Sequence, residues 1–95
     1  MSFETNEYFD GSVKSIAFQS ETLPATVGVM EVGDYTFAAG VKEYMTVVSG
    51  SLTIKLAGST DWNTFKAGET FEVEANSSFD VKVVVQTAYL CLYEK

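Results

Sequence analysis

Short segments in which apolar and polar side chains alternate strictly are the feature that most constrains the fold of this chain. The segments Leu52-Thr53-Ile54-Lys55-Leu56 and Phe71-Glu72-Val73-Glu74 both repeat with a period of two. This period is typical of a β-strand that buries one face and exposes the other. No stretch shows a sustained 3.6-residue apolar stripe, so no helix longer than about one turn is expected.

Turn-forming residues divide these segments at intervals that are typical of an all-β fold. Glycine, serine and asparagine recur between the β-rich runs, at Gly33-Asp34, Ser49-Gly50-Ser51 and Asn76-Ser77-Ser78 among others. Seven to nine short strands separated in this way predict a sandwich or a barrel. Strands are expected at residues 26–32, 35–37, 44–48, 52–56, 62–65, 70–74, 79–83 and 88–94.

The length and the segment types predict a single cytoplasmic domain over residues 1–95. Apolar residues make up 46% of the chain, enough for a packed core. The opening residues carry neither a basic region nor an apolar run of the secretory type. The longest apolar run is far shorter than the roughly 20 residues of a membrane-spanning helix. Cys91 is the sole cysteine, which rules out an internal disulfide and fits a reducing compartment. No membrane association is expected.

The charge balance disfavours nucleic acid as a partner. Thirteen acidic residues face six lysines, there is no arginine, and the net charge is −7. The lysines are spread along the sequence and form no basic patch, so binding to a phosphate backbone by counterion release is not expected. The absence of arginine also removes the bidentate fork that often holds anionic ligands.

The last predicted strand is apolar on both faces. Leu90 and Leu92 alternate with Tyr89, Cys91 and Tyr93. A strand of this kind lies either in the centre of a sheet or in an interface between two copies of the chain.

A spacing of glutamate and glycine residues resembles the two-motif pattern of the cupin β-barrels. Glu43 precedes Gly50 by six intervening residues, and Gly68 opens a second segment in which Phe79 stands where a histidine is usual. Counting back from Glu43 places Phe37 and Ala39 where cupins usually have paired histidines. The chain has no histidine at all. The resemblance therefore implies an all-β, single-domain cupin-like antiparallel barrel of the jelly-roll type that holds no metal ion.

A closer resemblance covers nearly the whole chain in order. It is to the pyrimidine/purine nucleoside phosphorylases of the cupin superfamily, with two departures: Glu74 replaces a usual proline and Leu92 a common arginine. The matching segments include Asn6-Glu7-Tyr8-Phe9, Thr26-Val27-Gly28-Val29-Met30, Glu43-Tyr44-Met45-Thr46-Val47-Val48-Ser49-Gly50, Ala75-Asn76-Ser77-Ser78-Phe79 and Tyr89-Leu90-Cys91. The resemblance implies a pentosyltransferase that converts purine and pyrimidine nucleosides, with inorganic phosphate as co-substrate and no cofactor, into free base and ribose 1-phosphate. A homodimer is expected.

Glu43 and Tyr35 are the predicted catalytic residues. A carboxylate that faces the sugar would stabilise the positive charge that develops as the glycosidic bond breaks. The cupin register points Glu43 into the barrel; the alternatives are an exposed loop residue beside Lys42 or a turn anchor. The leaving base needs a proton from an acid, a tyrosine hydroxyl or water, and the sequence does not choose among them.

Four aromatic residues are predicted to bind the nucleoside: Phe37, Tyr44, Phe79 and Tyr89. Stacking tolerates every base, which suits broad specificity. For each ring taken singly, ordinary core packing is the alternative. Cys91 lacks a histidine to activate it and is expected to be a buried apolar residue. No phosphate loop is visible, because the glycines stand in separate turns.

Three functional hypotheses remain open at this stage. The first is the phosphorylase, the second a non-catalytic barrel that binds small molecules, and the third an interaction protein that uses its β-surface. Composition and periodicity do not separate them; only the family resemblance favours the enzyme.

Overall fold

The computed structural model describes residues 3–95, which form ten β-strands and no helix. No helix in this part of the chain is long and apolar enough to cross a membrane. The strands are β1 (Thr5–Tyr8), β2 (Val13–Gln19), β3 (Pro24–Met30), β4 (Gly33–Ala39), β5 (Glu43–Ser49), β6 (Ser51–Leu56), β7 (Asn63–Lys66), β8 (Thr70–Val73), β9 (Ser77–Val83) and β10 (Thr87–Tyr93).

The strands form two antiparallel sheets. The larger has six strands in the order β1-β2-β3-β10-β5-β8, and the smaller has four in the order β4-β9-β6-β7. Their inner faces share one core, to which the large sheet contributes Val13, Met30 and Val47 and the small sheet contributes Ile54 and Val81. Successive side chains of each strand alternate between this core and the outside.

The all-β, cupin-like fold class is confirmed, whereas three details differ from expectation. The hydrogen-bonded ladders of residues 3–95 form two separate sheets and do not close into a single barrel. Ten strands are present in the same residues, against the seven to nine predicted. The additional strands are β1 and β2, which pair as a hairpin at one end of the large sheet. The expected turn at Gly33-Asp34 is also displaced, because Gly33 already pairs with Val83 in the β4–β9 ladder.

The last strand lies in the interior of the large sheet, which is one of the two positions that its apolar faces predict. It pairs with β3 on one side and with β5 on the other. Tyr89 and Cys91 point inward and are buried, while Leu90 and Leu92 point outward and are half-buried. We call the outward side of β2, β3, β10 and β5 the outer face. Its apolar side chains belong to Ile16, Phe18, Ala25, Val27, Val29, Val48, Ala88, Leu90 and Leu92.

Candidate functional site

A cavity of about 470 Å³ lies between the two sheets. Most of its wall comes from inward residues of both sheets. Its rim includes Thr36 and Ala38, exposed residues of the edge strand β4, and the start of the turn that joins β1 to β2. The lining residues are Tyr8, Phe9, Ser15, Met30, Thr36, Phe37, Ala38, Glu43, Met45, Phe79, Tyr89, Cys91 and Tyr93. The volume is within the range of small-molecule pockets.

Glu43 supplies the ionisable acid of the cavity. It is the first residue of β5, is half-buried, and pairs across the sheet with Tyr93 and Val73. The thiol of Cys91 donates to its Oε1 at 3.5 Å. Burial raises the pKa of the Glu43 carboxyl above its usual value, and the contact with the thiol opposes that rise. The site thus holds one carboxylate whose charged form is poorly solvated.

A phenol hydroxyl and a thiol, those of Tyr93 and Cys91, stand beside this carboxyl group. The Tyr93 hydroxyl lies 2.9 Å from the Thr26 hydroxyl on the neighbouring strand β3. Burial raises the pKa of Tyr93 well above its usual value. Cys91 behaves similarly, because burial and the nearby Glu43 charge both raise the pKa of its thiol. Both groups therefore stay protonated at neutral pH and act as hydrogen-bond donors.

Tyr89 lies across the strand from a glycine that leaves room for its ring. Gly28 pairs with both Tyr89 and Ser15. A Cβ atom at Gly28 would lie only 2.6 Å from the Tyr89 hydroxyl and 2.7 Å from the main-chain oxygen of Lys14. Burial raises the pKa of Tyr89 to about 12, and the Ser15 side chain opposes the rise. Only a glycine allows the phenol to lie flat over β3.

Aromatic rings form the opposite wall and the rim. Phe37 and Phe79 stack with centroids 5.6 Å apart on the inner side of the small sheet. Phe9 meets Phe37 edge to face at 5.5 Å, and Tyr8 does so at 6.5 Å. Flat apolar surfaces on one side and hydrogen-bonding groups on the other suit a ligand that has an aromatic part and a polyhydroxyl part.

The structure brings together four of the six predicted site residues. Glu43, Phe37, Phe79 and Tyr89 line the cavity, although their roles remain predictions. Tyr35 is buried next to the cavity, but its hydroxyl donates to the Glu31 carbonyl at 2.7 Å.

Tyr44 lies on the outward side of the large sheet. Its hydroxyl donates to the Glu94 carboxylate at 2.7 Å, and the Lys42 ammonium group is 5.5 Å from its ring centroid. Neither Tyr35 nor Tyr44 lines the cavity, and the roles predicted for them remain predictions.

Cations are absent from the lining of this cavity among residues 3–95. Lys42 pairs instead with Glu72 at 3.0 Å, which raises the pKa of the ammonium group, and Lys55 pairs with Asp80 at 3.6 Å. Glu72 is exposed between buried Phe71 and buried Val73, as its alternation predicts. An anion that enters the cavity would meet hydroxyl and thiol donors.

The donor atoms at this site do not fit the metal of a typical cupin. Of the four positions that carry ligands in those proteins, Phe37, Ala39 and Phe79 offer no ligand atom and Glu43 offers a carboxylate. No cluster of three or more potential ligands occurs in the described part of the chain. Cys91 is the nearest further candidate, but a thiol with a raised pKa is a poor ligand, because metals bind the thiolate.

Several lining residues were not predicted from the sequence. Tyr93 could have been found, because it shares the inward parity of Tyr89 and Cys91 on β10. Ser15 could not have been found in this way, because no strand was predicted around it and a polar residue does not indicate an inward face. The inward position of Phe9 depends on the conformation of a turn that the sequence does not specify.

The fold and the cavity define a cupin-like protein with a pocket of small-molecule size. Solved structures support this class. A Vibrio parahaemolyticus protein of unknown function superimposes with a TM-score of 0.94, at 48% identity over 99% of this chain and 100% of that one. An RmlC-like cupin from Shewanella frigidimarina shares the fold with a TM-score of 0.74, at 18% identity over 96% of this chain and 82% of that one.

Sequence comparison then identifies the family. Residues 3–93 match the sequence model of the pyrimidine/purine nucleoside phosphorylases. A pyrimidine/purine nucleoside phosphorylase from Psychromonas ingrahamii is 74% identical over 94 residues, which covers 99% of this chain and 100% of that protein. The chain belongs to the pyrimidine/purine nucleoside phosphorylase family.

Proposed function

We propose that this protein is a nucleoside phosphorylase that cleaves purine and pyrimidine nucleosides with inorganic phosphate. The observation that carries the proposal is the placement of a half-buried carboxyl group opposite an aromatic wall in one cavity, in a chain that matches the family over almost its full length. The reaction class is pentosyl transfer, and the products are the free base and ribose 1-phosphate.

The reaction is balanced in atoms and protons. A phosphate oxygen attacks the anomeric carbon, and the electron pair of the carbon–nitrogen bond leaves with the base. The base gains one proton, and hydrogen phosphate loses one as its oxygen becomes the sugar ester. The protein therefore needs to position the reactants, stabilise charge and pass a proton.

Glu43 is proposed to stabilise the sugar as it becomes positively charged. As a carboxylate it can face the ring or accept hydrogen bonds from the ribose hydroxyls, and both interactions strengthen in the transition state. Its partial burial supports the role, because a charge in a poorly solvated site interacts more strongly with a developing opposite charge.

The stacked rings of Phe37 and Phe79, together with Tyr89, are proposed to bind the base. Ring faces stack on purines and pyrimidines alike, which supports broad specificity. Phosphate is proposed to bind through neutral donors such as the Tyr93 hydroxyl, since the described lining offers no cation. The reaction is proposed to proceed without a metal ion or a cofactor.

Chromatography of adenosine, inosine and uridine, each with and without phosphate, tests the activity. Phosphate-dependent release of base from both purine and pyrimidine nucleosides is the expected result, and chelation should leave it unchanged. Release of base at the same rate with and without phosphate would contradict phosphorolysis. Thermal stabilisation by nucleosides without any turnover would favour the non-catalytic binding protein.

The role of Glu43 is tested by Glu43→Gln, with Glu74→Gln as the matched control. Glu74 is exposed and lies outside the cavity. Turnover should fall at least about tenfold in the first variant, the loss of one charged transition-state contact, and should stay unchanged in the second. Equal turnover in the two variants would remove Glu43 from the mechanism.

A homodimer built through the outer face is also proposed. That face presents a continuous apolar patch. Ile16 and Val27 are each more than 40% exposed, and Leu90, on the next strand β10, extends the patch towards β5. Soluble monomers seldom expose large apolar patches. One charged side chain, Lys14 on β2, lies in this patch beside Val29. A two-fold axis would bring the same surface of two copies together and remove its apolar area from water.

Light scattering on the purified protein, which measures the mass of the particle in solution, tests the dimer. The wild type should show twice the chain mass of 10.4 kDa. Val29→Asp on the outer face should shift it to the monomer, whereas Val32→Asp, in the turn after β3, should not. The two valines are matched in exposure, at 55% and 54%. A wild-type monomer at micromolar concentration would refute the dimer.

A cytoplasmic location completes the proposal. The buried free thiol of Cys91 supports it, as does the presence of nucleosides and phosphate in that compartment. Fractionation of cells that produce the protein at its natural level tests it, and recovery outside the cytoplasm would contradict it.

A further inference from the structure

We propose that Phe9 is a nucleoside-binding residue whose ring closes the exposed side of the cavity over the base. This inference rests on the proposed function and adds to it a residue outside the predicted site. The observations that carry it are the conformation of the turn that holds Phe9, the rings that Phe9 contacts, and its position at the rim.

The turn between β1 and β2 is built in a conformation that is rare for a bulky residue. Phe9 and Asp10 have φ angles of 54° and 57°, and Gly11 follows at 86°. The amide of Gly11 donates to the Tyr8 carbonyl at 3.2 Å, which closes the turn. Left-handed conformation at phenylalanine is a steric outlier that persists when surrounding contacts favour it, and such outliers cluster at functional sites.

Contacts with two other rings hold Phe9 in this position. Its centroid lies 4.9 Å from that of Tyr35 and 5.5 Å from that of Phe37. The residue is nevertheless 45% exposed. Part of it therefore packs on rings of the small sheet while the rest is open to solvent. An apolar ring that served packing alone would gain more by turning inward.

Phe9 borders two spaces: the cavity, which it lines with Phe37, and a second pocket, which it lines with Tyr35 and Trp62. Phe9 lines the cavity together with Thr36, which lies on the edge strand β4. A flat base that enters beside Phe37 would have its open side covered by Phe9, and covering it would displace water from both surfaces. A purine presents more ring area than a pyrimidine and gains more from the contact.

Calorimetric titration of the full-length protein with adenosine and with uridine, in the absence of phosphate, tests the inference. Phe9→Leu removes the ring but still places a bulky side chain at a position of positive φ. Phe9→Tyr keeps the ring. Asp10→Gly is the control for the turn itself, because Asp10 lies outside the cavity lining and glycine adopts positive φ freely. Phosphorolysis by the same variants is measured in parallel.

The expected result is a dissociation constant about tenfold weaker in Phe9→Leu, with a larger loss for adenosine than for uridine. Phe9→Tyr and Asp10→Gly should bind as the wild type does, and the KM for phosphate should not change. Unchanged nucleoside affinity in Phe9→Leu would overturn the inference while leaving the proposed function intact. Equal loss in Phe9→Leu and Phe9→Tyr would also overturn it, since the ring would then not be the cause. A wild type that neither binds nor cleaves nucleosides would instead refute the proposed function.

Discussion

Replacing Gly28 with alanine should destabilise the protein by crowding the cavity wall. The added Cβ atom would lie 2.6 Å from the Tyr89 hydroxyl oxygen, 2.7 Å from Cζ of the same ring and 2.7 Å from the Lys14 carbonyl oxygen. Non-bonded carbon contacts are comfortable from roughly 3.5 Å, so both the ring and the β2 backbone must move back by roughly 0.8 Å. Overpacking of this kind costs about 1–3 kcal/mol, and the rigid carbonyl favours the upper half of that range.

Gly40→Ala provides the matched control for this substitution. A Cβ atom at Gly40 meets nothing within 4 Å, and its φ lies outside the left-handed region. The same change there should raise the free energy of unfolding by about 0.4–1 kcal/mol, because it restricts the unfolded chain without straining the folded one. In thermal unfolding, the melting temperature of Gly40→Ala should therefore lie above that of the wild type, and that of Gly28→Ala should lie roughly 10–20 °C below it.

A double-mutant cycle isolates the contribution of the ring. In a Tyr89→Ala background the Gly28→Ala substitution should cost less, because only the contact with the Lys14 carbonyl remains. Additive effects within about 0.5 kcal/mol would mean that the ring is not the obstacle. Equal melting temperatures for Gly28→Ala and Gly40→Ala would refute the reasoning altogether.

Two further predictions concern the buried ionisable groups. Burial raises the pKa of the Glu43 carboxyl above its usual value. The folded state therefore binds its proton more tightly than the unfolded state, and stability is lost as pH rises through the folded pKa. In urea titrations from pH 4 to pH 7 the stability of Glu43→Gln should increase relative to the wild type, and a constant difference would contradict this. The raised pKa of Cys91 keeps its thiol uncharged, so a thiol reagent should label it only as fast as the protein unfolds; fast labelling in native buffer would disprove that protection.

The sequence predicts those strands best whose alternation is clean. β6 and β8 were expected at 52–56 and 70–74 and are found at Ser51–Leu56 and Thr70–Val73. β2 was missed because its inward residues include Ser15, a polar side chain that faces a cavity instead of a packed core. Where a pocket interrupts the core, the period-two pattern weakens, so the same feature that creates a site hides the strand that builds it.

Only part of the candidate site was predicted correctly, because the sequence shows which face of a strand a side chain lies on but not where its end points. Glu43 and Tyr44 are neighbours on one strand, and successive side chains point to opposite faces. If Glu43 faces the cavity, Tyr44 must face outward, where its hydroxyl meets Glu94. Tyr35 shares the inward parity of Phe37, but its hydroxyl reaches the Glu31 carbonyl instead. Parity can be read from a sequence, whereas the direction of a long side chain within the core depends on its neighbours.

The burial of Glu43 carries a consequence for the pH dependence of the reaction. In the free enzyme the charged carboxyl is poorly solvated, which costs stability and raises its pKa. In the proposed mechanism, the positive charge that develops on the sugar compensates for this penalty only in the transition state, so the interaction favours turnover more than ground-state binding. The carboxylate is then the active form, and kcat/KM should fall as pH drops through a pKa above the usual glutamate value. Initial rates with uridine at saturating phosphate from pH 4 to pH 8 would measure this acid limb. Glu43→Gln should lose this decrease at low pH while retaining residual activity. An identical decrease in both proteins would mean that another group causes it, and that the charge of Glu43 does not contribute to the rate.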